Sequence, residues 1–426
     1  MSAPRPSTSS GAPPAGTPQA TVLLVGACAS VLGTLLIAPV LPDIEDAFSG
    51  TSGIETLVPL AMTVPALGVA LLSPVAGRLI DKFGRTRLLY WSMLAYGILG
   101  VAPVWLDSIA AILVSRALLG VVEAAVLTCC ITLLGDYFDG PVRDRYMSWH
   151  ATISAFAAVV FLAIGGALGS AGWRTPFWVY AATLPLLVVM FRLLHEPRPE
   201  LQAKSEAPAE RMPPMPWRQL APVLLLTLFG AALVFFALQV QLSFVLDDIG
   251  SGTGAIGASA AIANVGVMLS SMVFIRYARR GAAGTLLVAG FGLGALGLFL
   301  MSVGSNWAAV TAGALVAGLG SGLILPALLI GATARLSFAQ RGRGTAAWTS
   351  AFYLGQFVSP LLVAAFEAAS GDLPSALRIC AVGGLLGAFG ALALVRRRPL
   401  PVNSTVAPDE GGTHHVVEPR SDPASA

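Results

Sequence analysis

Residues 77–87 read GRLIDKFGRTR, and the charge packed into them decides how the rest of the chain is read. Five of these eleven residues are charged (Arg78, Asp81, Lys82, Arg85 and Arg87), whereas Asp, Glu, Lys and Arg together make up 11% of the 426-residue chain. Gly77 and Gly84 bracket the cluster, and long apolar stretches flank it on both sides. Soluble domains carry roughly 25% charged residues. With 56% hydrophobic residues, this chain has too little polar surface to cover a soluble globule. The cluster is therefore read as a short aqueous turn between two segments buried in lipid.

Working outward, apolar runs of about 20 residues, enough to cross a ~30 Å hydrocarbon core, recur along the whole chain. They lack strand alternation, so helices rather than a barrel satisfy the backbone in lipid. Twelve spans are predicted: Thr21–Leu41, Thr56–Ala76, Leu88–Leu106, Ile109–Leu134, Met147–Gly169 and Thr175–Leu194, then Leu220–Leu246, Thr253–Ile275, Ala283–Met301, Trp307–Thr333, Thr345–Ala368 and Ala376–Val395. The segment HEPRPELQAKSEAPAERMPPMPWR (residues 195–218) is charged and proline-rich, unlike the other loops, and splits them six and six. The expected organisation is a disordered tail (1–20), a six-helix lobe (21–194), a linker (195–218), a second six-helix lobe (219–395) and a second disordered tail (396–426). The fold class is an all-α membrane protein of twelve transmembrane helices in two pseudo-symmetric lobes.

Lys and Arg fix the orientation. With the N-terminus in the cytoplasm, 22 of the 25 basic residues fall in inside segments, Arg174 and Arg378 fall outside, and Arg116 lies within a span. Both termini and the linker are then cytoplasmic. Trp91, Trp105, Trp173, Trp217 and Trp307 sit near span ends, as an interfacial belt requires. The proline- and serine-rich start lacks the pattern of a cleaved signal peptide, so the first apolar run is expected to remain as a span. The four cysteines (Cys28, Cys129, Cys130 and Cys380) fall inside apolar runs without metal-ligand spacing and read as small buried hydrophobes. The net charge of +3 follows topology and gives no nucleic-acid signal.

The halves match at an offset of about 198 residues: Arg145 aligns with Arg343, Gly120 with Gly318, and Gly84 near Gly281. Parallel repeats of this kind are a transporter signature, with substrate bound between lobes that rock around it. The glycine runs at 290–297 and 318–322 lie inside apolar spans, without the strand–turn–helix setting or the lysine that phosphate cradling needs. They are expected to serve close helix packing. No Ser–His–Asp or metal constellation, nucleotide-binding domain or catalytic cluster is visible, so the chain is not expected to be an enzyme or an ATP-driven pump, and no cofactor is implied.

With these residues in hand, the stretch GRLIDKFGRTR resembles the loop motif between the second and third spans of the major facilitator superfamily, through Gly77, Leu79, Asp81, Gly84 and Arg85. RALLGVVEAA (116–125) resembles the family's second motif through Arg116 and Gly120, and GGALGSAGWRTPFW (165–178) is similar to its fifth and sixth spans. The resemblance covers Thr21 to Val395 and is strongest to the twelve-span drug:proton antiporters. One departure is plain: Phe161 and Leu162 stand where that group usually has a Gly-Pro pair, while Pro360 occupies the equivalent place in the eleventh span. The resemblance implies that Asp81, with Gly77, Gly84, Arg85 and Arg343, forms a latch between the cytoplasmic ends of the lobes. A carboxylate there can sit against the positive N-terminal end of the eleventh helix, near Arg343 and Gly344.

Two intramembrane charges need explaining, since each costs at least about 2.5–3.5 kcal/mol at the bilayer centre. Arg116 and Glu123 are seven residues apart, nearly two helical turns, so they share a face about 10 Å apart along the axis. They are expected to point into the polar cavity, with Glu123 as a proton- or cation-coupling group and Arg116 tuning it, or else to form a buried structural pair. Gln239, Gln356, Phe235 and Tyr353 are candidate cavity residues, and Asn264 is expected to make an interhelical hydrogen bond. Asp43, Glu45 and Asp46 are placed just outside the first span, where they could attract cations or form an ordinary solvated loop. The leading functional reading is a proton-coupled exporter of a small organic molecule, monomeric, multi-pass in a bacterial inner membrane. Its partners are the substrate, the proton and the lipid bilayer. The alternatives are an ion-coupled importer of an organic anion held by Arg116, and a non-transporting sensor on the same scaffold.

Overall fold

The computed structural model describes residues 16–72, 84–196, 214–278, 281–334 and 336–397. Among them, twelve helices are long and apolar enough to cross a membrane. They are α1 (Thr17–Ala47), α2 (Ile54–Leu72), α3 (Arg85–Val104), α4 (Ile109–Tyr137), α5 (Gly140–Gly169) and α6 (Thr175–Leu193), then α7 (Trp217–Asp248), α8 (Thr253–Ala278), α9 (Ala283–Val303), α10 (Trp307–Thr333), α11 (Gln340–Ser370) and α12 (Leu373–Arg397). Trp91, Phe191, Leu225 and Phe389 are each more than 60% exposed on the outside of the bundle, the inverse of a water-soluble surface and the arrangement lipid favours.

The helices run further than the apolar runs. The first is predicted to end at Leu41 but continues to Ala47, so Asp43, Glu45 and Asp46 ride on its last turns rather than in a loop. Likewise α5 starts at Gly140 and α11 by Gln340, ahead of the predicted Met147 and Thr345. Hydropathy registers lipid contact, whereas backbone hydrogen bonding carries a helix on into water. Proline accounts for one internal irregularity, the tightened turn late in the first span. The first span is interrupted at Cys28 and tightens into a 3₁₀ turn at Ala38–Val40, beside Pro39 and Pro42.

The two halves pack in the same way. In the first lobe α4 packs on α2 and α3, and α3 on α6; in the second α10 packs on α8 and α9, and α9 on α12. The aligned glycines do the same work in each lobe. A methyl group on Gly120 would overlap the Pro65 carbonyl oxygen of α2, and one on Gly318 would overlap the Ala263 carbonyl oxygen of α8. Gly84 and Gly281 both adopt φ +82, the left-handed region where a side chain is strained. Across the lobes α5 packs on α8 and α2 on α11, pairs that exchange under the repeat. We call the side bearing the linker and termini the tail face; by the charge count it is the expected cytoplasmic side.

Candidate functional site

Between the lobes lies a cavity of about 230 Å³ walled by α1, α5, α7, α8, α10 and α11. A π-helical turn at Ala231–Phe235 shapes one wall, and such turns recur at functional sites. It presents Phe235 and Phe236 in succession. Phe352 and Tyr353 of α11 join them, with ring centroids 4.8–5.9 Å apart between neighbours, so this wall is an aromatic cluster. Polar groups are few: Ser30 and Thr34 of α1, Ser154 of α5, Asn264 of α8 and Gln356 of α11. Gln356 Nε2 donates to Thr34 Oγ1 at 3.3 Å, a direct bond from one lobe to the other.

Of the four residues expected in the cavity, Phe235, Tyr353 and Gln356 line it and Gln239 does not. The reason is a reciprocal amide pair: Gln239 Nε2 donates to Asn264 Oδ1 and Asn264 Nδ2 to Gln239 Oε1, each at 3.2 Å, with both side chains buried. Asn264 makes the interhelical bond expected of it and faces the cavity as well. Ser30, Thr34 and Ser154 carried no signal in the sequence, because small hydroxyl residues in lipid usually bond their own helix.

Arg116 and Glu123 do share a face of α4, but that face turns into the first lobe and not onto the cavity. Arg116 is fully buried and straps three helices: Nε donates to the Ala61 carbonyl of α2 at 3.3 Å, Nη1 to Tyr180 Oη of α6 at 2.9 Å, and Nη2 to the Gly33 carbonyl of α1. Fully buried off the cavity, with each of its three nitrogens bonded inside the lobe, Arg116 is not placed to hold a substrate carboxylate. Glu123 is 1% exposed, and its Oε2 is buried with no hydrogen-bond partner among the described residues. That oxygen packs on Gly33, where a Cβ would overlap it. The two charges feel each other's field but form no ion pair within 4 Å. The stretch of α1 that covers them turns its opposite side, at Ser30, Val31 and Thr34, to the cavity. One turn of helix therefore separates the buried carboxylate from the space between the lobes.

At the tail face, Gly77 and Asp81 of the expected latch lie outside the described residues. Arg343 is exposed on the first turns of α11, and Gly344 packs against Leu336. Arg85 is held within its own lobe, with Nε 2.7 Å from Asp136 Oδ2 of α4, in contact though without hydrogen-bond alignment. A second partner, Glu196, carried no signal in the sequence. It accepts the Arg85 backbone N–H at 2.7 Å, the Thr86 N–H at 2.9 Å and the Thr86 hydroxyl. Burial pushes the Glu196 carboxyl up, but these hydrogen bonds and the Arg85 charge outweigh it and hold it below its ordinary value. Beside it, Tyr137 Oη donates to the His195 carbonyl and its ring stacks on the His195 imidazole, which docks the start of the linker on the first lobe.

Among the described residues, no cluster of three or more His, Cys, Asp or Glu side chains is arranged to hold a metal ion.

Comparison with known proteins follows the same outline. The family model for the Major Facilitator Superfamily matches residues 23–333 and 224–424. The chain is 30% identical over 343 residues to the uncharacterized MFS-type transporter YceJ of Bacillus subtilis (strain 168), covering 76% of this chain and 83% of that one. It is 23% identical over 192 residues to the class H tetracycline resistance protein of Pasteurella multocida, covering 45% of this chain and 47% of that protein. To the quinolone resistance protein NorB of Staphylococcus aureus (strain JH9) it is 28% identical over 189 residues, covering 43% and 39%. These two matches thus span less than half the length of either resistance protein. Among solved structures, a D-xylose-proton symporter superposes with a TM-score of 0.74 at 15% identity, covering 90% of this chain and 98% of that one. A bacterial homolog of the human lysosomal transporter Spinster, inward-facing and unoccupied, gives 0.70 at 16% identity, covering 91% and 96%. At such identities these structures speak to the fold alone.

Proposed function

The chain belongs to the Major Facilitator Superfamily, and from that premise we propose that this secondary transporter is a proton-coupled exporter of small organic molecules. It works as a monomer in a bacterial inner membrane, with both termini and the linker in the cytoplasm. The observation that carries the reading is Glu123, a fully buried carboxylate with an unpartnered oxygen, one turn of α1 away from the inter-lobe cavity. Protonated, Glu123 is neutral and its burial costs little. Deprotonated, it needs a cation, and Arg116 is the cation at hand. Drawing Arg116 toward Glu123 takes its guanidinium from the Gly33 carbonyl and loosens α1 from α2 and α6. The cavity-facing side of the same turn moves with it. Proton release and substrate release are thereby tied to one helix.

The aromatic wall of Phe235, Phe236, Phe352 and Tyr353 suits a planar or apolar substrate. The names of the two resistance proteins make tetracycline and a quinolone the first probes. In everted membrane vesicles carrying the protein, energisation should drive accumulation of at least one probe, and an uncoupler should collapse it. Accumulation confined to right-side-out vesicles would instead identify an importer and overturn the reading. The latch at the tail face remains part of the proposal, with Asp81 bridging toward the start of α11 as the family resemblance implies.

A further inference from the structure

On the face opposite the tails, a second cavity of about 200 Å³ opens where the lobes meet. Four carboxylates from four helices line it, two from each lobe: Glu45 of α1 and Glu55 of α2, Asp248 of α7 and Glu367 of α11. They lie within electrostatic reach of one another. Among the described residues none of the four is ion-paired; the two ion pairs, Arg85–Asp136 and Arg174–Asp107, lie elsewhere. The other arginine of this face, Arg378, acts on Asp372. Such a mouth holds a focused negative potential.

Gln241 is the independent sign of a ligand. Its side chain is 5% exposed, lines this cavity, and has no hydrogen-bond partner among the described residues. It lies seven residues before Asp248, nearly two turns of α7, so both face the same space. The Gln241 amide is therefore free to exchange hydrogen bonds with a ligand hydroxyl or N–H that enters the cavity. The rest of the wall is apolar, with Pro59, Phe244 and Pro360 closing it. The carboxylates are too dispersed to form a metal cluster, as the described residues contain none. Phe244 adds an aromatic ring of the kind that attracts organic ammonium groups.

We propose that this inter-lobe mouth binds a small organic monocation bearing a hydrogen-bonding group. The volume holds about seven waters at ~30 Å³ each, hence a cation of similar heavy-atom count. Because each lobe supplies two carboxylates, a bound cation draws this face shut. The site stands apart from proton coupling, since binding can be read with no gradient present.

Choline is a suitable probe, and 3,3-dimethylbutan-1-ol is its uncharged counterpart of the same shape. With the full chain in lipid nanodiscs, radiolabelled choline should bind saturably, and neither excess 3,3-dimethylbutan-1-ol nor Mg²⁺ should displace it. Glu45→Gln with Glu367→Gln should weaken binding at least ten-fold, and Gln241→Leu several-fold. Asp46→Asn, at an exposed neighbour that does not line the cavity, should change it less than two-fold and serves as the folding control. The proposal is overturned by an absence of saturable binding, by equal competition from the neutral alcohol, by displacement with Mg²⁺, or by unchanged affinity in the double variant.

Discussion

Gly84 opens α3 with φ +82 and has no side chain to cap the helix, so its first N–H groups must find an acceptor elsewhere. Glu196, 110 residues further along the chain from Thr86, supplies it and adds a negative charge at the positive helix end. The sequence could not announce this, because a lone glutamate in a proline-rich segment looks like any solvated charge. The same holds for Arg116. Its presence in a span was legible, but its three acceptors are carbonyls and a phenol whose positions only the fold sets. The Glu196 cap carries a pH signature. Its folded pKa lies below the ordinary carboxylate value of about 4.3, so its stabilisation is complete above that range and is lost as pH falls through the folded value. Glu196→Gln should lower stability by about 0.5–1 kcal/mol near neutrality, the lower part of the capping range since the carboxylate is exposed. It should also flatten the wild-type loss below about pH 4. Thermal melts across pH 3–7 would check this, and an unchanged acid limb in the variant would remove Glu196 from the cap.

Among the elements, twelve spans and their six-and-six division followed from hydropathy and one charged linker. Span ends did not, because α1, α5 and α11 run past the apolar residues into water. The repeat was legible through single glycines, since the closest helix crossings tolerate nothing larger: Gly120 on α2 and Gly318 on α8. The seam between α5 and α8 was not legible, although it too rests on glycine. Gly166 and Gly257 meet backbone to backbone, and a Cβ on either would come within 2.6 Å of the other's Cα. One turn on, a Cβ at Gly169 would stand 3.9 Å from Thr253 Cβ, inside the disulfide range. Gly169→Cys with Thr253→Cys, in a Val40→Ala background that clears the nearest methyl, should cross-link the lobes under mild oxidation. Transport should stop and return on reduction. A cross-linked protein that transports at the wild-type rate would show that this seam does not open in the cycle.

In the whole molecule, the two lobes touch on both sides of a central cavity. On the face away from the tails, Ser243 Oγ donates to the Ala38 carbonyl and Thr253 Oγ1 to Asp43; toward the tails, Ser350 Oγ donates to the Ala70 carbonyl. These bonds are few and local, the kind that rigid lobes can exchange as they rock. The sequence led to the lobes and to the buried charge on α4, but assigned that charge to the cavity wall. Helical phase relates Arg116 to Glu123 and is silent on which neighbour their shared face meets. The interior position makes the claim sharper, because Glu123 now has to act through α1. Reconstituted in proteoliposomes, the Glu123→Gln variant separates coupling from movement of substrate. We predict that a pH gradient no longer drives accumulation of a transported probe, while exchange of that probe across the membrane at equal pH continues near the wild-type rate. Gradient-driven accumulation at the wild-type level in this variant would contradict the assignment of Glu123 as the coupling carboxylate.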